Sequence, residues 1–122
     1  MMNSTDKIKN IIEALGKHED ESCVDVLTEF GTNSPDDEIR ECTAQALIRR
    51  NTPKALEVVL VSRGKGINDL SARVAMSSIN ELLSLKDKTE AIKILDNSIE
   101  TNPDEEIKNT ARSVRALMTF SV

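Results

Sequence analysis

Aromatic residues are almost absent from this sequence. It contains no Trp and no Tyr, and Phe30 and Phe120 are the only aromatic residues among its 122 positions. Aromatic rings provide the surfaces on which bases, sugars and flavins stack. Their scarcity therefore argues against such binding sites and predicts a core of aliphatic side chains.

Glycine and proline are also scarce, with four Gly and three Pro in the whole chain. These numbers are too small for a β-protein, which needs a turn about every ten residues. Ala, Leu, Ile, Glu and Lys are plentiful, and all of them are common in helices. The composition predicts an all-α fold, and the length predicts one domain rather than two independent cores.

Basic residues are outnumbered, because 16 Lys and Arg face 21 Asp and Glu and give a net charge of −5. This balance disfavours nonspecific attraction to nucleic acid or to an anionic membrane. We interpret Arg49 and Arg50, and the basic segment that begins at Arg63, as solvated helix ends, with a phosphate contact as the alternative. No long apolar run and no targeting segment is present, so we expect a cytoplasmic protein.

One histidine and two cysteines limit the available chemistry. Cys23 and Cys42 lie at apolar positions of helical patterns, so we predict buried thiols in a reducing compartment, with a disulfide as the alternative. His18 falls in a predicted turn among charged residues, where a solvated side chain is favoured over a metal ligand or a catalytic base. We therefore expect no enzyme, no catalytic residue, no metal and no cofactor.

Two segments of the chain nearly repeat each other. Residues 33–40 read NSPDDEIR and residues 101–108 read TNPDEEIK, which places the two prolines 68 residues apart. Each segment predicts a helix start, with Ser34 or Asn102 as the N-cap and Pro at the first helical position. The carboxylates that follow face the positive end of the helix dipole. A separation of 68 residues corresponds to two units of about 34 residues.

Weaker copies of the same pattern complete a series of four. A polar residue followed by an aliphatic-basic pair three residues later predicts one helix per unit, the A helix, with apolar residues three or four apart. A second pattern, small-apolar-charged-apolar-apolar, predicts a B helix after each of the first three. The A patterns begin at Thr5, Asp36, Asp69 and Asp104, and the B patterns at Cys23, Ala55 and Ala91. The predicted helices are A1 (5–16), B1 (20–31), A2 (35–50), B2 (53–63), A3 (68–85), B3 (88–101) and A4 (103–120).

Local signals predict where several of these helices begin and end. Thr52, which precedes a proline, is predicted to cap helix B2, and Asp87 is predicted to cap helix B3. Gly16 and Gly31 are predicted to end helices A1 and B1 in the left-handed conformation that glycine tolerates. Short turns then join all the helices.

Residues 36–47 read D-x-x-I-R-x-x-T-x-x-A-L. They resemble the D-x-x-V-R-x-x-A-x-x-A-L motif of HEAT-like repeats, particularly the short repeats related to phycobilisome lyases. The resemblance implies a right-handed α-α superhelix, or α-solenoid, of three helical hairpins and a C-terminal helix. It covers roughly residues 5–120 of a single predicted domain, residues 1–122, with units at about 5–34, 35–66, 67–102 and 103–120. The family's Asp and Arg commonly link neighbouring repeats, which implies an inter-repeat ladder of Asp36, Arg40, Asp69, Arg73, Asp104 and Lys108.

The resemblance also implies a binding surface, because B helices line the concave face of such solenoids. We expect a non-catalytic protein-protein interaction or scaffold module that binds another protein and no membrane. A homodimer through residues 103–120 is a further hypothesis, since no B helix follows A4. The alternatives are a lyase accessory or chromophore-handling protein and a nucleic-acid-binding helical repeat, which the composition does not favour. The candidate partner surface comprises Asp25, Glu29, Lys54, Glu57, Val61, Lys93 and Asn97.

Overall fold

The computed structural model describes residues 4–62, 67 and 70–120, and these residues form seven α-helices and no strand. A π-helical segment, Thr28–Thr32, continues the second helix directly. The predicted all-α fold of seven helices is therefore confirmed. The helices are α1 (Ser4–Lys17), α2 (Cys23–Leu27), α3 (Asp37–Arg50), α4 (Pro53–Leu60), α5 (Ala72–Leu83), α6 (Thr89–Thr101) and α7 (Glu105–Phe120).

Helices α3 and α7 begin two residues later than the sequence predicts. Asp36 is the N-cap of α3, and its carboxylate accepts a 2.9 Å hydrogen bond from the Glu38 N–H. Ser34, the predicted cap, instead accepts from the Asp36 N–H at 3.2 Å. Asn102 and Asp104 repeat this arrangement before α7. The predicted caps were wrong because two successive side-chain turns carry the chain past the proline before the helix begins.

Two glycines have a different role from the predicted one. Gly16 lies inside α1 and Gly31 inside the π-helical segment, and neither adopts the left-handed conformation. A Cβ atom on Gly16 would lie 3.0 Å from the Ala46 Cβ, and one on Gly31 would overlap the Thr43 side chain. Both glycines therefore permit close approach to α3, while Asn51, with a φ of 56°, provides the left-handed end of α3.

The other predicted ends are met in part. Thr52 is the N-cap of α4, but its side chain makes no capping hydrogen bond. Asp87 accepts a 3.0 Å hydrogen bond from the Thr89 N–H, although Lys88 is the N-cap of α6. The basic turn at residues 63–66 lies outside the described residues.

The helices pack in two series. Helix α3 contacts α1 on one side and α5 on the other, and α5 contacts α7; in the second series α4 contacts α6. One cluster of buried side chains extends from Ile12 in α1 to Met118 in α7. The described core is aliphatic, as predicted, and both phenylalanines are exposed.

No helix in the described part of the chain has both the length and the apolar character that crossing a membrane requires.

The buried stripe of α7 generates a stability prediction. Val114 is 3% exposed, so we expect Val114→Asp to lower the free energy of unfolding by about 2 to 4 kcal/mol, because it buries an unpaired charge. Ser113→Asp places the same charge on the exposed side of α7 and should change it by less than about 0.5 kcal/mol. Urea titrations of the two variants measure the difference; equal stabilities would show that α7 is not packed.

The contact between Gly31 and Thr43 generates a second prediction. We expect Gly31→Ala to destabilise the protein by about 1 to 3 kcal/mol, because the new methyl group overlaps Thr43. Gly16→Ala, whose methyl group meets only the Ala46 Cβ, should cost less. Adding Thr43→Ala should restore part of the loss caused by Gly31→Ala. Thermal melts of the wild-type chain, the single variants Gly31→Ala, Gly16→Ala and Thr43→Ala, and the double variant test this order, and additive effects in the double variant would contradict it.

Candidate functional site

A groove of about 760 Å³ separates α4 from α6. Four of the predicted partner-surface residues line it: Glu57 and Val61 from the α4 side, and Lys93 and Asn97 from α6. They share this groove because the B pattern turns one side of each helix into the core and leaves these positions outside. The structure therefore brings together four residues that are up to 40 positions apart in sequence.

The three remaining predicted residues lie outside the groove lining, on α4, α2 and the π-helical segment. Lys54 of α4 and Asp25 of α2 form an exposed ion pair with an Nζ–Oδ2 distance of 2.8 Å. Glu29 is exposed in the π-helical segment. An exposed pair such as Lys54–Asp25 contributes little stability. The pair joins α2 to α4 outside the groove.

The groove is predominantly acidic. Glu57, Glu90 and Glu100 line it together with Asp96, whereas Lys93 is its one described cation. Asp96 is paired with Arg115 of α7, and the three glutamates face solvent at least in part. Val61 and the buried Ile94 supply apolar surface between the carboxylates. We name this feature, lined from Pro53 to Pro103, the α4–α6 groove; its chemistry suits a ligand with basic and apolar groups.

The predicted inter-repeat ladder is realised differently. Arg73 of α5 joins the preceding unit, because its Nε donates to the Glu41 carboxylate of α3 at 3.0 Å. Arg40 pairs with Asp37 and Lys108 with Glu105, both within their own helices. These pairs form within one helix because the carboxylates of the first helical turn lie three residues before each cation. Asp36 and Asp104 act as caps, and Asp69 lies outside the described residues.

A row of polar pairs that the sequence analysis missed joins α3 to α5. Each member of the row on α3 contacts the residue 32 positions later on α5, over three successive turns. A constant separation means that the two helices run parallel in a fixed register. The signal was present in the sequence as two i, i+4, i+8 series with complementary chemistry. The pairs are Glu41–Arg73 (3.0 Å), Gln45–Ser77 (2.8 Å) and Arg49–Glu81 (2.6 Å).

Arg50 is the most extensively bonded side chain among the described residues. It is 6% exposed, and its guanidinium donates to the carbonyl oxygens of Gly16 (3.0 Å), His18 (2.6 Å) and Asp20 (3.0 Å). It also donates to the Glu21 carboxylate at 3.1 Å. The interpretation of Arg50 as a solvated helix end was therefore wrong. The carbonyls at the end of α1 have no partner within that helix, and a guanidinium satisfies several of them at once.

The Glu21 carboxylate continues this network into α4. Thr52 donates to it at 2.5 Å, and this hydrogen bond, followed by those from Arg50, holds the pKa of Glu21 below its ordinary value. Glu21 therefore remains ionised beside Arg50. The network fixes the turn between α1 and α2 to the turn between α3 and α4.

A second cleft, of about 570 Å³, lies beside this network between α1 and α3. Cys42 lines it, but its thiol is 8% exposed, contacts the Lys9 carbonyl oxygen at 3.9 Å and has a pKa that burial raises. His18 is exposed, and its Nδ1 accepts from the Asp20 N–H at 3.1 Å. The Cys42 thiol is therefore largely protonated at neutral pH and is a poor nucleophile.

The two cysteines and the two acidic segments have the positions that the sequence predicts. Cys23 and Cys42 are both free and buried, as the sequence predicts. The acidic segments that begin at Asp36 and Asp104 form helix starts, also as predicted. Within residues 4–62, 67 and 70–120, no group of three His, Cys, Asp or Glu side chains is placed to hold a metal ion.

Comparisons with protein-family models, with curated proteins and with solved structures find no match to this chain.

The Arg50 network generates a third prediction. We expect Arg50→Ala to lower the free energy of unfolding by about 2 to 4 kcal/mol, because it leaves carbonyl groups and a carboxylate without their charged donor. Arg50→Lys should recover little, since an ammonium group cannot reproduce the planar fork. Arg49→Ala, at an adjacent side chain that is 56% exposed, should cost less than about 1 kcal/mol. Urea unfolding measures all three, and equal losses for Arg49→Ala and Arg50→Ala would contradict the prediction.

Proposed function

We propose that the seven helices form a HEAT-like α-solenoid that acts as a non-catalytic protein-interaction module. The solenoid is supported by the number of sequence positions that separate the two partners of each inter-unit contact. Polar pairs among the first three units join residues 29 to 36 positions apart, close to one predicted unit, while Arg115 and Asp96, which join the last two, are 19 positions apart. Stacked repeats produce such contacts, because each unit contacts only the next one.

The observation that carries the binding function is the α4–α6 groove. It is open to solvent, lies where four of the predicted surface residues meet, and combines three exposed or half-exposed glutamates with apolar surface. Peptides bind helical grooves through apolar anchors, and opposite charge at the rim increases the association rate. We therefore propose a partner segment that carries Lys or Arg side chains next to an apolar anchor.

The non-catalytic part of the proposal is supported by the engagement of the reactive groups. Both thiols are buried, and the Arg50 guanidinium is held by backbone carbonyls and Glu21. These groups stabilise the fold and leave no free pair of nucleophile and base around Cys42 or His18. Nothing about these residues favours chromophore handling, and the acidic groove opposes nucleic-acid binding.

A displayed library of random peptides, panned against the full chain, tests this function. We expect the enriched peptides to be basic with one or two large apolar residues. Binding of a selected peptide should weaken about tenfold for Glu57→Lys and again for Glu100→Lys, because each variant replaces attraction with repulsion. Glu13→Lys makes the same charge change on α1, away from the groove, and should leave binding unchanged.

Two outcomes would contradict the proposal. One is the absence of any enriched peptide. The other is binding that is lost with Glu13→Lys but retained with both groove variants. Circular dichroism and thermal melts of each variant confirm that the fold is intact before binding is compared.

A further inference from the structure

Large apolar side chains are exposed together at the N-terminal end of the described chain. Ile8 and Ile11 of α1 are 40% and 59% exposed, Val26 of α2 is 40% exposed, and Phe30 of the π-helical segment is 71% exposed. With Leu15 they line a groove of about 180 Å³, whose eight described lining residues are all uncharged. We name these five residues the N-terminal apolar face. A cluster of this kind is typical of an interface.

The repeat register identifies what kind of surface this is. In α3, the residues that correspond to Ile11 and Leu15 of α1 are Cys42 and Ala46, 31 positions later. Both are buried against the preceding unit, since Cys42 contacts the Lys9 carbonyl and Ala46 approaches Gly16. The N-terminal apolar face is therefore, by register, the surface through which a unit packs on the unit before it.

In the second series of helices, the exposed fraction of one pattern position also differs from helix to helix. Val26, Val58 and Ile94 occupy the same position in the B pattern. Val26 is 40% exposed, Val58 packs in part against the core, and Ile94 is 8% exposed. This position is thus most exposed on α2, which no other helix of this series covers on that side among the described residues.

We propose that a second copy of this chain covers the N-terminal apolar face in an isologous dimer. An uncharged face can be buried against its own copy without leaving a charge unpaired. Its rims are oppositely charged, because the exposed Lys7 adjoins Ile8 in α1 and the exposed Glu29 adjoins Phe30. A two-fold axis that sets α1 against the π-helical segment of the other copy brings Lys7 against the partner subunit's Glu29, and does so twice.

Helix α7 matches the N-terminal apolar face less well than a second copy of that face does. Helix α7 exposes Leu117 and Phe120, but it also exposes Glu106 and Arg112. A head-to-tail contact would desolvate these charges against the centre of the face, which is apolar. The self-contact of the N-terminal apolar face avoids that cost.

Sedimentation velocity of the full chain over a dilution series tests the dimer. We expect a monomer–dimer equilibrium whose dissociation constant rises about 100-fold or more with Ile11→Glu or with Phe30→Glu, since each buries a charge at the centre of the interface. Both positions are exposed in the single chain, so the melting temperature should change little at concentrations where the wild-type chain is monomeric. Leu117→Glu, a matched change at the other end, should leave the dimer intact. A wild-type chain that is monomeric at every concentration overturns the proposal, as does a dimer that only Leu117→Glu dissociates.

The charged rims provide a test of the orientation. Lys7→Glu and Glu29→Lys should each weaken the dimer about tenfold, and the double variant should regain most of the affinity because the pair is restored with its signs exchanged. A double variant that is as weak as the sum of the single changes overturns the proposed two-fold arrangement.

Discussion

The guanidinium of Arg50 is the interaction on which the N-terminal half of the structure depends. It donates hydrogen bonds to the carbonyls that α1 leaves unpaired at its end, and it orders the turn to α2. Through Glu21 and Thr52 it also fixes the start of α4. Its reach depends on Gly16, because a larger residue there would hold α1 away from α3. One side chain thus joins two helical hairpins at their turns, while the two glycines set the distance between the helices themselves.

The junction between α3 and α5 is built in another way. Its three polar pairs are surface contacts, and such pairs contribute little free energy each. Burial of apolar side chains supplies the stability of this junction, while the polar row selects one register among those that burial would tolerate. The first and second units are therefore joined by a network around the buried Arg50 side chain, and the second and third by apolar packing aligned by surface charge. Repetition in the sequence does not require repetition of the stabilising chemistry.

Composition and periodicity were sufficient to predict the order of the helices and the aliphatic core, because both follow from residue types and local spacing. The resemblance to HEAT-like repeats, rather than these patterns, implied that Glu57, Val61, Lys93 and Asn97 share one surface. The patterns could not show that Ser34 and Asp36 form successive turns, since either residue is a good cap. They also could not distinguish a glycine required for its φ from one required for its size, as at Gly31, because that depends on Thr43 in another unit. Arg50 beside Arg49 looks like any basic helix end until α1 is seen to lie against it.

The contacts of α3 have a consequence for how the molecule opens. This helix contacts α1, α2, the π-helical segment, α4 and α5, so its amides are covered from both directions along the chain. Among the described helices, α1 contacts chiefly α2 and α3, and α7 contacts chiefly α5 and α6. In a structure of this kind the free energy of local opening varies with position, and it is lowest where a neighbour is missing. Transient fraying of α1 would release the carbonyls that Arg50 binds without disturbing the row between α3 and α5. The chain can therefore open at one end while its centre stays folded.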